Sequence, residues 1–111
     1  MMTTLYLNAP QHKAHAQGKR SFAKTLHTAV GDGYAIPKAD AAQCLPGCRV
    51  VLLCQDRRQR AEGRLKTLKE TGEKTGSGMR KYDVYIEALA EVPYSPPPSA
   101  LRRTGILVVT G

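Results

Sequence analysis

The chain has 111 residues, with 17 basic and 9 acidic side chains, three cysteines and no tryptophan. One domain is expected at this length, and it can bury enough surface to form a core without disulfides. The net charge of +8 indicates an acidic partner, with nucleic acid as the first candidate and an anionic membrane surface as the second. The alternative is that this charge only keeps the domain in solution.

The cysteines and the hydropathy pattern indicate the compartment. Three cysteines are too few, and an odd number, for a secreted domain held by disulfides. No apolar run approaches the roughly 20 residues that cross a bilayer, and the N-terminal residues lack the basic start and apolar stretch of a signal peptide. We therefore expect a cytoplasmic protein with reduced thiols and no membrane insertion.

The first half of the chain predicts two strands, a helix and a buried central strand. Thr3 to Leu7 is β-prone, and Ser21 to Val30 has the spacing of a short amphipathic helix that Ser21 can cap. Tyr34 to Pro37 fits an edge strand, because proline cannot donate to a ladder, and Lys38 to Cys44 fits one helical turn. Leu45 to Cys54 begins with a Pro-Gly turn and continues as an apolar run, which predicts a central strand buried on both faces.

The second half predicts a hairpin and a closing strand. Arg60 to Leu68 fits either a strand or a helix, and Gly63 together with the short turn before it favours the strand. About residues 69 to 80, the chain is polar and rich in glycine, which predicts a mobile loop. Tyr82 to Ala90 alternates as a half-buried strand, and Ile106 to Val109 is a short apolar strand.

The predicted elements are five or six short strands, mostly sequential neighbours, and one clear helix, and this pattern favours a small β-barrel. The prediction is a single α+β domain, built as a small, mainly antiparallel β-barrel with one or two short helices. A doubly wound fold would need more helices than the chain supplies.

The order of elements resembles that of the PUA-like superfamily, including its EVE and ASCH branches. Leu45-Pro46-Gly47 followed by an apolar strand is similar to their Pro-Gly-Asp step, with Cys48 in the acidic position. Three further segments are similar to strands of these domains: the next strand with its glycine, the strand that ends at Val92-Pro93, and the opening Leu5-Tyr6-Leu7. The resemblance implies a barrel that binds RNA or a modified or flipped DNA base. EVE relatives line that site with Trp or Tyr, for which this chain offers Tyr6, Tyr34, Tyr82 and Tyr85.

The basic residues are concentrated between positions 57 and 81, which hold nine Lys or Arg and three Glu. Such side chains neutralise phosphates, and a tyrosine ring can stack on an unpaired base for about 1–3 kcal/mol. The alternative is a solvated hairpin whose charges only protect its edges. The predicted nucleic-acid-binding residues are Arg57, Arg58, Arg60, Arg64, Lys66, Arg80, Lys81, Tyr82, Tyr85 and Tyr34, extended by Lys19 and Arg20.

No metal, cofactor or catalytic residue is predicted. Cys44, Cys48, His12 and His15 are residue types that bind zinc, but the cysteine spacing is looser than in a zinc knuckle and the histidines are distant in sequence. Whether these four residues bind a metal is left open by the sequence.

The sequence therefore predicts a nucleic-acid-binding domain for RNA or an unpaired base rather than duplex DNA, because it shows no basic recognition helix. One alternative is a small ASCH-like hydrolase or nuclease, which requires a carboxylate and a lysine together in a cleft. Another is a protein-interaction module that uses the segment from Val92 to Pro98.

Overall fold

The computed structural model describes residues 2–9, 21–55, 57–101 and 105–110. These contain six strands and two short helices. In chain order they are β1 (Thr3–Asn8), α1 (Phe22–Thr28), β2 (Val30–Ala35), α2 (Lys38–Gln43), β3 (Arg49–Cys54), β4 (Gln59–Lys74), β5 (Arg80–Val92) and β6 (Ile106–Thr110).

The six strands form one curled sheet in the order β2-β5-β4-β3-β1-β6. All neighbours are antiparallel except β1 and β3, which are parallel. The predicted mainly antiparallel, β-rich architecture is thus confirmed, but the sheet is a half-barrel. It stays open because β1 pairs with β3 and β6 rather than with β2, so that β2 and β6 remain edges in the described part of the chain.

Strand β3 is the buried centre of the sheet, as predicted. Five of its six residues are buried. Val50, Leu52 and Cys54 contribute to the main core on one face, whereas Val51 and Leu53 contribute to a smaller core on the other. Because each face of this strand packs against an apolar layer, its sequence is a continuous run of apolar residues.

The two short helices lie on the side of the main core, and we call this side of the sheet the inner face. Phe22 of α1 is buried there and Leu26 packs against the core. The Ser21 hydroxyl accepts a hydrogen bond from the Lys24 amide at 3.1 Å, which confirms the predicted cap. The helix ends earlier than predicted, because Ala29 adopts a left-handed conformation (φ 61°) and Val30 begins β2.

The opposite, outer face is divided into a covered half and an open half. Residues 93–101 continue from β5 to this face, where Leu101 packs on Val51 and Leu53. Tyr6, Tyr94 and Leu107 are the partly buried members of this second core. The outer face of β1, β3 and β6 is therefore covered, whereas that of β4 and β5 carries no such apolar layer.

The hairpin of β4 and β5 is longer than predicted. Residues 60–68 form a strand rather than a helix, and residues 69–74 continue it, so the predicted loop of about residues 69 to 80 shrinks to the turn of residues 75–79. The loop prediction failed because both faces of this part of the hairpin are largely exposed, which removes the apolar alternation that marks a strand. The mobility of the segment stays a prediction.

A bulge changes the side-chain alternation of β5. Ala88 has φ 54°, and the register shifts opposite it between Glu62 and Arg64. As a result Leu89 packs against the main core, whereas Ala88 and Ala90, which the strict alternation had placed with Ile86, are exposed. Neither described helix has the length or apolar character needed to cross a membrane.

Candidate nucleic-acid interface

The open half of the outer face carries one tyrosine together with basic and acidic side chains. Thr67 lies opposite Tyr85 and Lys69 opposite Asp83 in the ladder between β4 and β5, and residues that face each other across a ladder project from the same side of the sheet. Leu65, Leu68 and Val84 project to the inner core, so their neighbours along the strands face outward. We call this region the ribbon surface, and its candidate contact residues are Arg64, Thr67, Lys69, Lys81 and Tyr85; the acidic residues Asp83 and Glu87 face the same side.

Tyr85 is the predicted tyrosine that the structure places on this surface. It is half-buried, between Val30 of β2 and Thr67 of β4. Tyr34 and Tyr82 do not join it: they face each other across the ladder between β2 and β5, on the inner side, with exposures of 0% and 9%. They were predicted to stack on a base, but buried rings offer no face to one.

Gly31 explains how the Tyr34 ring is accommodated. A Cβ at position 31 would lie 2.9 Å from Tyr34 Cε2, so the ring fills the space that a side chain would occupy. Tyrosine at position 34 thus completes the core rather than lining a surface cage.

Several lysines of the hairpin have no acidic partner. Among the described residues, Lys66, Lys69, Lys74 and Lys81 have no carboxylate oxygen within 4.0 Å. Asp83, which lies opposite Lys69, instead accepts a hydrogen bond from the Gly33 amide at 3.0 Å. The positive charge of these lysines therefore remains available to an anionic ligand.

Two of the predicted arginines, Arg64 and Arg80, differ from each other in their hydrogen-bond partners. Arg64 is exposed and donates through Nη1 to the Gly47 carbonyl at 3.1 Å. Arg80 pairs with Glu70 at 2.8 Å, and its hydrogen bond with this carboxylate raises the pKa of the guanidinium. Arg80 therefore has a carboxylate partner in an exposed ion pair, whereas Arg64 has no acidic partner among the described residues.

Arg60 is a structural residue rather than a surface cation. Its side chain is 8% exposed and donates from Nε to Glu62 at 3.0 Å and from Nη1 to the Ser95 carbonyl at 3.1 Å. Arg49 binds the same carboxylate from the other side at 2.9 Å. The predicted phosphate contact of Arg60 conflicts with this arrangement, because its guanidinium already holds β4 to the segment that crosses the outer face.

Glu62 is the shared acceptor of this pair of arginines. Burial alone would raise the pKa of its carboxyl group, but the hydrogen bonds and charges of Arg49 and Arg60 outweigh burial and lower it. The carboxylate is therefore held ionised, which suits an ion pair and not a general acid.

Arg57 and Arg58 lie in the turn between β3 and β4, away from the ribbon surface. The Arg58 guanidinium carbon is 4.7 Å from the centroid of the Tyr94 ring, within the range of a cation–π contact. Arg64, the nearest residue of the ribbon surface, lies six positions after Arg58, which corresponds to roughly 20 Å of extended strand. The basic cluster of the sequence is therefore divided in space. Lys19 and Arg20 lie outside the described residues.

Two basic residues of the hairpin, Lys69 and Lys74, were missed as candidate site residues because the sequence placed them in a loop. Their strand position follows from the pairing of Lys69 with Asp83 and of Lys74 with Arg80. The sequence offers no signal for this strand position, because a polar strand pair and a polar loop have the same composition.

The carboxylate and lysine required by the hydrolase alternative occur at the far end of the hairpin, but without the expected contact. A shallow cleft of about 190 Å³ is lined by residues that include Glu70, Glu73 and Lys74. Glu70 binds Arg80, and among the described residues no lysine lies within 4.0 Å of either glutamate. The geometry therefore does not support acid–base catalysis there.

Among the described residues, the cysteines belong to no group that could hold a metal ion, and the thiols of Cys44 and Cys48 favour the protonated form. Burial, followed by the proximity of Cys48 and Asp40, raises the pKa of Cys44 to about 12, and burial also raises the pKa of Cys48. All three cysteines are free thiols. Within the described ranges no three Cys, His, Asp or Glu side chains could hold a metal ion together, and His12 and His15 lie outside those ranges.

Comparisons with protein-family models, with curated proteins and with solved structures gave no match. The resemblance to PUA-like domains therefore stays a prediction.

Proposed function

We propose that the protein is a PUA-like domain that binds nucleic acid, and that the ribbon surface contacts the ligand. One observation carries the proposal: the half-buried ring of Tyr85 lies on the same outer face as Lys69 and Lys81, which have no carboxylate partner in the described chain, with Asp83 and Glu87 as its outward-facing neighbours along β5. The segment from Arg64 to Lys81 has six basic and two acidic residues, a net charge of +4, whereas the rest of β5 adds the acidic residues Asp83, Glu87 and Glu91.

The contacts divide into two kinds. Lys69 and Lys81, with Arg64 at the margin, neutralise phosphates and release their counterions, which is the sequence-independent part of binding. The ring of Tyr85 stacks on a base, which contributes about 1–3 kcal/mol and requires that the base be unpaired.

The position of the helices favours a single strand over a duplex. The seven-residue helix α1 packs on the inner face, on the other side of the sheet from the ribbon surface, so it cannot enter a groove of a duplex bound there. A sheet surface with an exposed aromatic ring is a common way to bind single-stranded RNA, whose bases can be splayed onto the ring. We therefore propose RNA, or another strand with an unpaired base, as the ligand.

The proposal is tested by fluorescence anisotropy with labelled single-stranded RNA, single-stranded DNA and a duplex, each at low and high salt. We expect the tightest binding to a single strand, with an affinity that falls steeply with salt. An absence of binding to all three ligands at low salt would refute the proposal and would leave the net charge as a solubility feature.

Two matched pairs of variants locate the site. Tyr85→Leu should weaken binding by roughly 5- to 150-fold, the equivalent of one lost stack, whereas Tyr85→Phe keeps a ring and should bind like the wild type. Lys69→Ala should weaken binding, whereas Lys24→Ala removes the same charge from α1 and should have little effect. Equal affinities within both pairs would place the ligand elsewhere on the protein.

A further inference from the structure

The sheet has three free strand edges in the described part of the chain. Strand β2 is one end of the sheet and β6 is the other. The third edge belongs to β4, which pairs with β3 only from Gln59 to Arg64 and so has no neighbour on that side from Lys66 to Lys74. A free edge presents unpaired backbone donors and acceptors to any passing strand, and proteins usually protect such edges.

Two of these edges have visible protection. Strand β2 contains Asp32, a glycine with positive φ at Gly33 and a register shift between Gly31 and Tyr34, so it presents no regular row of backbone groups. The free edge of β4 carries Lys66, Lys69, Glu70, Glu73 and Lys74, whose charges oppose the approach of another strand.

Strand β6 has no such protection. Its sequence is Ile106-Leu107-Val108-Val109-Thr110, without a charge, a proline or a bulge, and its pairing with β1 is regular over all five residues. Val109 is 40% exposed on the outer face. β-branched residues of this kind favour strand pairing, so the sequence of β6 does not oppose pairing with a further strand.

We propose that β6 pairs in antiparallel orientation with β6 of a second copy of this chain, which joins the two half-barrels into one continuous sheet. A two-fold axis at Val108 would place Leu107 of one copy opposite Val109 of the other on the outer face, and the two Val108 side chains together on the inner face. Every opposed pair is uncharged, so the strand is complementary to itself. The partly exposed Val109 would then be covered by the second copy.

This dimer is independent of nucleic-acid binding. Strand β6 is separated from β4 by β3 and β1 in the sheet, so pairing at β6 leaves the ribbon surface of each copy open. The contact is apolar and consists of backbone hydrogen bonds, so high salt should not weaken it, whereas high salt weakens phosphate contacts.

The test is sedimentation velocity on protein freed of nucleic acid, in high salt, from low micromolar to submillimolar concentration. Because the interface is small, we expect a weak dimer whose average mass rises with concentration from 12.1 kDa toward twice that value. A mass that stays at 12.1 kDa over the whole range would overturn the proposal.

A matched pair of variants identifies the strand. Val109→Lys adds a charge at an exposed position of β6 and should keep the chain monomeric, whereas Met79→Lys adds the same charge at the hairpin turn and should dimerise like the wild type. Hydrogen exchange provides a second readout: in the wild type the amides of β6 should exchange more slowly as concentration rises, and in Val109→Lys they should not. Equal dimerisation of the wild type and Val109→Lys would refute pairing through this edge.

Discussion

Replacing Gly63 with alanine should strain the hairpin that carries the ribbon surface. A Cβ at this position would lie 2.7 Å from the Glu87 carbonyl oxygen and 2.8 Å from Ile86 Cγ2. It would also lie 3.1 Å from the Leu89 Cα. Two of these three atoms belong to the backbone of the neighbouring strand at its bulge, so they cannot move aside as a flexible side chain would.

The expected size of the effect follows from two opposing contributions. Overpacking of this kind costs about 1–3 kcal/mol, and the alanine recovers about 0.4–1 kcal/mol by restricting the unfolded chain. We therefore expect Gly63→Ala to lower the free energy of unfolding by about 1–2 kcal/mol. Urea titration should show a lower midpoint with an unchanged slope, because the surface exposed on unfolding is the same.

Gly76→Ala is the matched control in the same hairpin. No atom lies within 4 Å of a Cβ at this position, and its φ is not positive, so the substitution should leave stability unchanged or raise it slightly. If Gly63→Ala were as stable as Gly76→Ala, the close approach of β4 and β5 at the bulge would be wrong.

Three further substitutions test the electrostatics and the core. Glu62→Gln should lower the free energy of unfolding by about 2–3 kcal/mol, because the buried Arg60 guanidinium loses its charged partner. The folded pKa of Glu62 lies below its ordinary value of 4.5, so urea titrations should show this difference at neutral pH and its loss as the pH falls below that value. The pKa of Cys44 is raised to about 12 from an ordinary 9.0, so folding favours the neutral thiol, and this stabilisation is complete below pH 9 and is lost toward pH 12. Between these pH values Cys44→Ala should therefore lose less stability than the wild type. Parallel losses of stability would contradict a raised pKa at Cys44. Thr25→Val should raise the free energy of unfolding by about 1 kcal/mol, because the buried Thr25 hydroxyl has no hydrogen-bond partner among the described residues; a lower urea midpoint would show that this hydroxyl is satisfied in solution.

The elements with strong local signals could be predicted from the sequence. The central strand, the cap at Ser21 and the strand character of residues 60–68 all follow from apolar runs, capping chemistry and a glycine that opposes a helix. These are properties of a few neighbouring residues, which is why a single sequence shows them.

The features that depend on pairing between distant strands could not be predicted in this way. The bulge at Ala88 moves Leu89 into the core and has no distinct signal in the sequence of β5. The burial of Tyr34 depends on its register with Tyr82, and the burial of Arg60 depends on Glu62 and on the chain at Ser95. The sequence therefore shows that basic residues are concentrated between positions 57 and 81. It does not show that they divide between the ribbon surface, the ion pair at Glu62 and the turn before β4, because that division depends on the fold.

The proposed binding of nucleic acid to the ribbon surface is tested by the salt dependence of affinity. The measurement is the slope of the logarithm of affinity against the logarithm of salt concentration, for a single-stranded RNA. We compare the wild type with the variant Arg64→Ala/Lys69→Ala/Lys81→Ala and with a control, Lys24→Ala/Lys38→Ala/Arg57→Ala, which loses the same charge elsewhere. Each lost phosphate contact lowers the slope by about 0.7 on a single strand, so the ribbon variant should lose about 2 units and the control should lose almost none. Equal slopes for the two variants would contradict the account, because binding would then depend on net charge and not on this surface.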